Sequence, residues 1–131
     1  MINQILLWLD NSPAARAAAS WTIAFARSTS ARIYALYVLP ATAKSRREKR
    51  NSVQEEQAWQ VLYEVEDEAF DQQVRISLLL ETGDPLSRLT EVCTSYQPDI
   101  IVVSADTLLS AESLIRHLPK PVIFYKLDKE D

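Results

Sequence analysis

Apolar positions along the chain fall into blocks of two different periods, and the two kinds alternate. Ile2–Leu9 is nearly all apolar apart from Asn3 and Gln4, and Ile33–Leu39, Val74–Leu80, Asp99–Val103 and Val122–Tyr125 are similar short runs. Continuous apolar runs of this length are the pattern of strands covered on both faces. Between them the spacing becomes three and four. Ala14, Ala17, Ala18, Trp21, Ala24 and Phe25 predict a helix over Pro13–Ser28, with Arg16, Ser20 and Arg27 solvated. Ala58, Val61, Leu62, Val65 and Ala69, flanked by Trp59 and Tyr63, predict a second over Ser52–Phe70. Leu86, Leu89, Val92 and Cys93 predict a third over Pro85–Tyr96, and a short fourth spans Ser110–His117. Ser12-Pro13 and Asp84-Pro85 each pair a capping side chain with a proline at the first helical position.

The resulting order, β-α-β-α-β-α-β-α-β, is that of an α/β domain. Right-handed crossovers give an open parallel sheet of five strands with helices on both faces, a three-layer, Rossmann-like arrangement. The expected strand order is 3-2-1-4-5 in a single domain over 1–131. Its switch point lies between strands one and four, where ligands of such sheets bind outside the carboxyl ends. Asp10 and Ser104 are expected to face each other there.

Composition narrows the chemistry. A 131-residue chain with 47% hydrophobic residues is globular and long enough for its own core. The formal charge of −4 supplies no overall basic field for nucleic acid. The longest apolar runs are too short to span a bilayer, and MINQILLWLD lacks the basic start and cleavage site of a signal peptide. One cysteine, Cys93, fits a reducing compartment, so the expected location is cytoplasmic. The chain has a single glycine, Gly83, against about nine for an average chain of this size. Neither a G-x-G-x-x-G nor a Walker A loop exists here.

Few side chains are placed for catalysis. His117, the sole histidine, has Arg116 beside it rather than an orienting carboxylate, and its position near a helix C-terminus suits a capping role. Cys93 falls on an apolar helix face and reads as a small core residue. No Cys/His/Asp set suggests zinc. The basic segment KSRREKR, Lys44–Arg50, reads as a solvated loop, with docking of an acidic partner or nucleic acid as its functional alternative. The last strand, VIFY, is an apolar edge that invites pairing.

ILLWLDNSPAARAAASWTIAFA, TGDP, PDIIVVS and AESLIRHLPKPVIFYK together resemble the universal stress protein family. The resemblance covers almost the whole chain and is weakest over Ala41–Gln73. Many members bind ATP through Gly, two residues, Gly, about nine residues, then Gly-Ser or Gly-Thr. Aligned on the flanking strands, Ser104 and Thr107 take the places of the first two glycines, and Leu108 and Leu109 those of the final pair. The intervening loop is missing. A phosphate cradle needs inward backbone N–H groups, often at positive φ, which glycine supplies at least cost. Leu108 and Leu109 are expected to fill that space.

By the same resemblance, Asp10 matches a nucleotide-contacting aspartate and Val38 a residue whose backbone touches the base. From the residues alone, Asp10 also reads as a turn residue and Val38 as a core valine. The resemblance further implies a homodimer in which the last strands pair antiparallel, through Val122, Ile123, Phe124, Tyr125 and Lys126. The expectation is a homodimeric binding or regulatory module without ATP, acting through protein contacts and without catalysis. The alternative is a nucleotide binder, for AMP or ATP, using Asp10, Val38 and Ser104. A small hydrolase is the third reading.

Overall fold

The computed structural model describes residues 1–41, 47–107 and 109–127, with 47–52 described by backbone alone. Its elements are β1 (Gln4–Leu9), α1 (Pro13–Thr29), β2 (Arg32–Leu39), α2 (Arg47–Asp71), β3 (Ile76–Thr82), α3 (Pro85–Tyr96), β4 (Ile100–Ser104), α4 (Ala111–His117) and β5 (Val122–Tyr125). The five strands are parallel and lie in the order β3-β2-β1-β4-β5, as the alternating blocks predict.

The central strand shows why the runs are continuous. Ile5, Leu7 and Leu9 of β1 face one core cluster together with Ala19, Ile23, Val61 and Leu62 of α1 and α2. Leu6 and Trp8 face the other, with Leu89, Cys93 and Leu114 of α3 and α4. Neither face of β1 meets water, so no position in it needs a polar residue. Leu6 and Ile101 are fully buried, each contributing about 1.5–3 kcal/mol by transfer from water.

Four local expectations change. The buried face of α1 is Ala14, Ala15, Ala18, Ala19, Thr22, Ile23 and Ala26, rotated from the predicted stripe, and Trp21 and Ala24 are exposed. So many alanines surround this helix that its periodicity is nearly featureless. Trp21 instead stacks on Phe25 at 5.3 Å between ring centroids and packs on Tyr125 of β5 at 6.3 Å. Arg16, Ser20 and Arg27 are not merely solvated. They bond to Glu64 (3.0 Å), Glu68 (3.0 Å) and Gln72 (2.7 Å) and tie α1 to α2.

Helix α2 starts at Arg47, so the basic run is not one loop. Arg47–Arg50 are helical, as four good helix formers without a breaker should be, and Lys44–Arg46 lie outside the described residues. Strand β3 starts at Ile76 rather than Val74. Val74 N donates to Ala69 O (2.8 Å) and Gln73 N to Phe70 O (3.0 Å), with Gln73 at φ 60°. That is a Schellman closure of α2, with a glutamine where glycine is usual.

Candidate functional site

The carboxyl ends of β1, β2 and β4 position the three residues singled out for ligand contact. β1 and β2 pair with Leu9 level with Tyr37, so continuing the register puts Asp10 level with Val38. Arg32 N donates to Asn3 O (2.9 Å), so the even-numbered residues of β2 turn their backbone toward β1. Val38 is the last of them, and its carbonyl emerges where β1 has ended. Its side chain is 8% exposed and packs in the core, as the bland reading has it. Asp10 and Val38 are thus brought to one rim.

Asp10 carries an unsatisfied group. Its Oδ1 is shielded from solvent and has no hydrogen-bond partner among the described residues. Beside it is Tyr37, which the residue pattern did not single out. The pKa of its hydroxyl is raised above the ordinary phenol value, first by burial and second by the negative charge of Asp10. The available signal was its pairing opposite Leu9, at the last step before the switch point.

Ser104 sits differently. Carrying the β1–β4 register two steps past Leu7–Val102 puts it level with Leu9 rather than Asp10. It is 4% exposed, and its hydroxyl accepts the Asp106 N–H (3.2 Å). Its carbonyl accepts from Thr107 N (3.2 Å), and Thr107 Oγ1 accepts from Leu109 N (3.4 Å). Asp10 and Ser104 thus stand at adjacent strand ends one register step apart, with Tyr37 also beside Asp10 and the Ser104 hydroxyl closing its own turn. Among the described residues no hydrogen bond joins Asp10 to Ser104.

The turn leads directly into α4, capped by Ser110 Oγ accepting from Ser113 N (3.1 Å). Leu109 is half-buried against the second core cluster. Leu108 lies outside the described residues. His117 Nδ1 is 2.8 Å from Ser113 O, one turn back on the same helix, which is the helix-end role read from its position. Cys93 is 1% exposed. Among the described residues no three His, Cys, Asp or Glu side chains gather as a metal site, and no helix is long and apolar enough to cross a membrane.

A model of the universal stress protein family matches residues 1–126. A search of curated protein sequences returns no match. Among solved structures, a universal stress protein family member from Burkholderia pseudomallei is 24% identical, with TM-score 0.82 over 94% of this chain and 95% of its own. UspA from Lactobacillus plantarum is 19% identical, with TM-score 0.81 over 95% and 97%. A family protein from Arabidopsis thaliana with AMP bound is 18% identical, with TM-score 0.76 over 96% and 92%. At these identities the likeness speaks for the fold.

Proposed function

Because the chain belongs to the universal stress protein family, we propose that it acts as a homodimeric binding and regulatory module that holds no nucleoside triphosphate and catalyses no reaction. One observation carries this reading. Two hydroxyls of the β4–α4 turn accept from backbone amides of the same turn: Ser104 Oγ from Asp106 N, and Thr107 Oγ1 from Leu109 N. A phosphate cradle presents donors to a ligand, whereas this turn turns them inward and packs Leu109 against the core. The orphan Asp10 Oδ1 adds a negative acceptor, which opposes a phosphate further. A buried lone cysteine suits the reducing cytoplasm that the reading assumes.

The dimer rests on β5. Ile101 N donates to Pro121 O (2.9 Å) and Ala105 N to Tyr125 O (2.7 Å). Odd-numbered residues of β5 therefore turn to β4, and the backbone of Val122, Phe124 and Lys126 points outward. Antiparallel pairing about a twofold satisfies those groups in both copies. Light scattering should give twice the 14.9 kDa chain mass, and a single 14.9 kDa species at micromolar concentration refutes the dimer.

Thermal-shift titration tests the ligand reading. A nucleotide at 100 times its dissociation constant adds about 2.7 kcal/mol of stability. The expected result is no shift with millimolar ATP, with or without magnesium; a clear shift overturns the proposal. One observation favours a second reading, an adenine nucleoside or monophosphate held without a triphosphate cradle. The Asp10 oxygen and the Val38 carbonyl are two acceptors on one rim, suited to hydroxyl and amino donors, and AMP is bound in the Arabidopsis relative. On that reading AMP shifts the transition, and Asp10→Ala abolishes the shift.

A further inference from the structure

The sheet has a second edge. β3 has seven residues against the four of β5. Ile33 N donates to Arg75 O (2.9 Å) and Gly83 N to Leu39 O (2.8 Å), so odd-numbered residues of β3 turn their backbone to β2. The N–H and C=O groups of Ile76, Leu78, Leu80 and Thr82 point away from the sheet. Among the described residues, β2 is the one strand paired with β3. Neither proline nor lysine interrupts ISLLLET, the usual devices that blunt an edge.

A cleft flanks this edge on each face of the sheet. On the α2 side about 280 Å³ is lined by Phe70, Val74 and Ile76, with Glu66 and Asp67 at its rim. On the α3 side about 250 Å³ is lined by Leu79, Val92 and Tyr96, with Glu81 and Glu91 at its rim. Phe70 is 80% exposed, the largest apolar side chain beside the edge. An added strand sends successive side chains to opposite faces, hence into the two clefts in turn. Outward backbone groups supply the binding, and paired clefts supply the selectivity.

We propose that the β3 edge is a docking strand for an extended segment of a partner protein in which pairs of apolar residues alternate with pairs of basic ones, so that each face carries both kinds. The charge selects this occupant. A second copy of the chain would bring the same carboxylates face to face, which is unfavourable. A basic segment meets Glu66 and Asp67 on the α2 rim and Glu81 on the α3 rim, where Glu91 is already paired with Arg88 at 3.1 Å.

The test uses a fluorescein-labelled heptapeptide of valine pairs alternating with lysine pairs, titrated against the full chain by anisotropy. Two further peptides carry N-methyl groups on one or the other alternating set of amides. We expect saturable binding that weakens with salt. One N-methyl set should lower affinity about tenfold or more, and the other should leave it within about twofold, because one set faces β3. Hydrogen exchange at Ile76, Leu78, Leu80 and Thr82 should slow on binding, with Val122–Lys126 unchanged. The surface variant Glu66→Lys/Asp67→Lys should weaken binding about tenfold while leaving the circular dichroism unaltered. The proposal fails if binding is absent, if both N-methyl sets act alike, if the charge reversal has no effect, or if protection appears at β5. It also fails if the β3 amides of the free protein become protected as concentration rises, because a second copy then occupies the edge.

Discussion

Replacing Asp99 with alanine removes the acceptor of two backbone amides at the start of the central strand pair. Asp99 Oδ2 accepts from Asn3 N (2.7 Å) and Gln4 N (2.9 Å), and these residues lead into β1. The Asp99 N–H bond to Gln4 O (2.8 Å) survives the change. The Asn3 bond is exposed, so water replaces much of it. The Gln4 bond is half-buried and charge-assisted. Together they contribute about 2 kcal/mol after that discount. Unfolding entropy of about 2.1 cal/mol/K per residue over 131 residues makes this a fall in Tm of about 7 °C. The pH dependence makes the test specific. Hydrogen bonds from Asn3 and then Gln4 hold the Asp99 carboxyl below its usual pKa. The unfolded carboxyl titrates near about 3.9. A depressed folded pKa means the contribution is complete well above that value, and it is lost as pH falls toward and through the folded pKa. Urea denaturation should therefore show wild type and Asp99→Ala furthest apart at pH 7 and converging as pH falls toward 3. Asp99→Asn, with a neutral acceptor of the same shape, should lie between them at pH 7. A gap under about 0.5 kcal/mol at pH 7, or one unchanged at pH 3, refutes the reasoning.

Burial pushes the Cys93 thiol up to about 11, so a disulfide reagent at pH 8 should react only after urea unfolds the chain; rapid stoichiometric reaction of the folded protein contradicts this. Gly83→Ala places a Cβ at φ 137° and 3.4 Å from Arg88 Nε, in a turn whose N–H bonds to Leu39 O. It should lower stability by about 1–2 kcal/mol, and an unchanged urea midpoint argues against strain there. Gln73→Gly should do the opposite, raising stability by about 1 kcal/mol by relieving the left-handed residue that closes α2. A lower midpoint shows that the glutamine side chain matters more than its backbone.

The sheet was legible because a strand buried on both faces leaves no choice of residue. β1 and β4 are written as apolar runs, and their order follows from handedness and chain direction. Legibility failed where burial is decided by neighbours rather than period. Alanine-rich α1 presents apolar atoms on nearly every side, so the sequence did not reveal that Trp21 belongs with Tyr125. Val74 opens the apolar run of β3, yet its amide completes the cap of α2. The start of α2 was hidden by reading charge as loop, although arginine, lysine and glutamate are good helix formers. At the crevice, the chemistry of Asp10 and Ser104 was visible. Their register offset of one residue was not, because it depends on how β1 and β4 pair.

That offset bears on what the crevice accepts. The chain places its one glycine at the β3–α3 turn and uses Ser30, Gln73 and Gln97 where a left-handed backbone is needed. Each such substitution costs about 1 kcal/mol. The β4–α4 turn has no glycine either, and its Ser104 and Thr107 hydroxyls accept from backbone amides of that turn. Among the described residues the β1–β2 side holds a carboxylate oxygen without a donor, a strand-end carbonyl and the Tyr37 phenol. Those groups are mainly acceptors. A ligand that enters must bring donors to this rim and keep any anionic group away from it. On the proposed reading a macromolecular partner meets the sheet's edges, where unpaired backbone offers donors and acceptors in equal number.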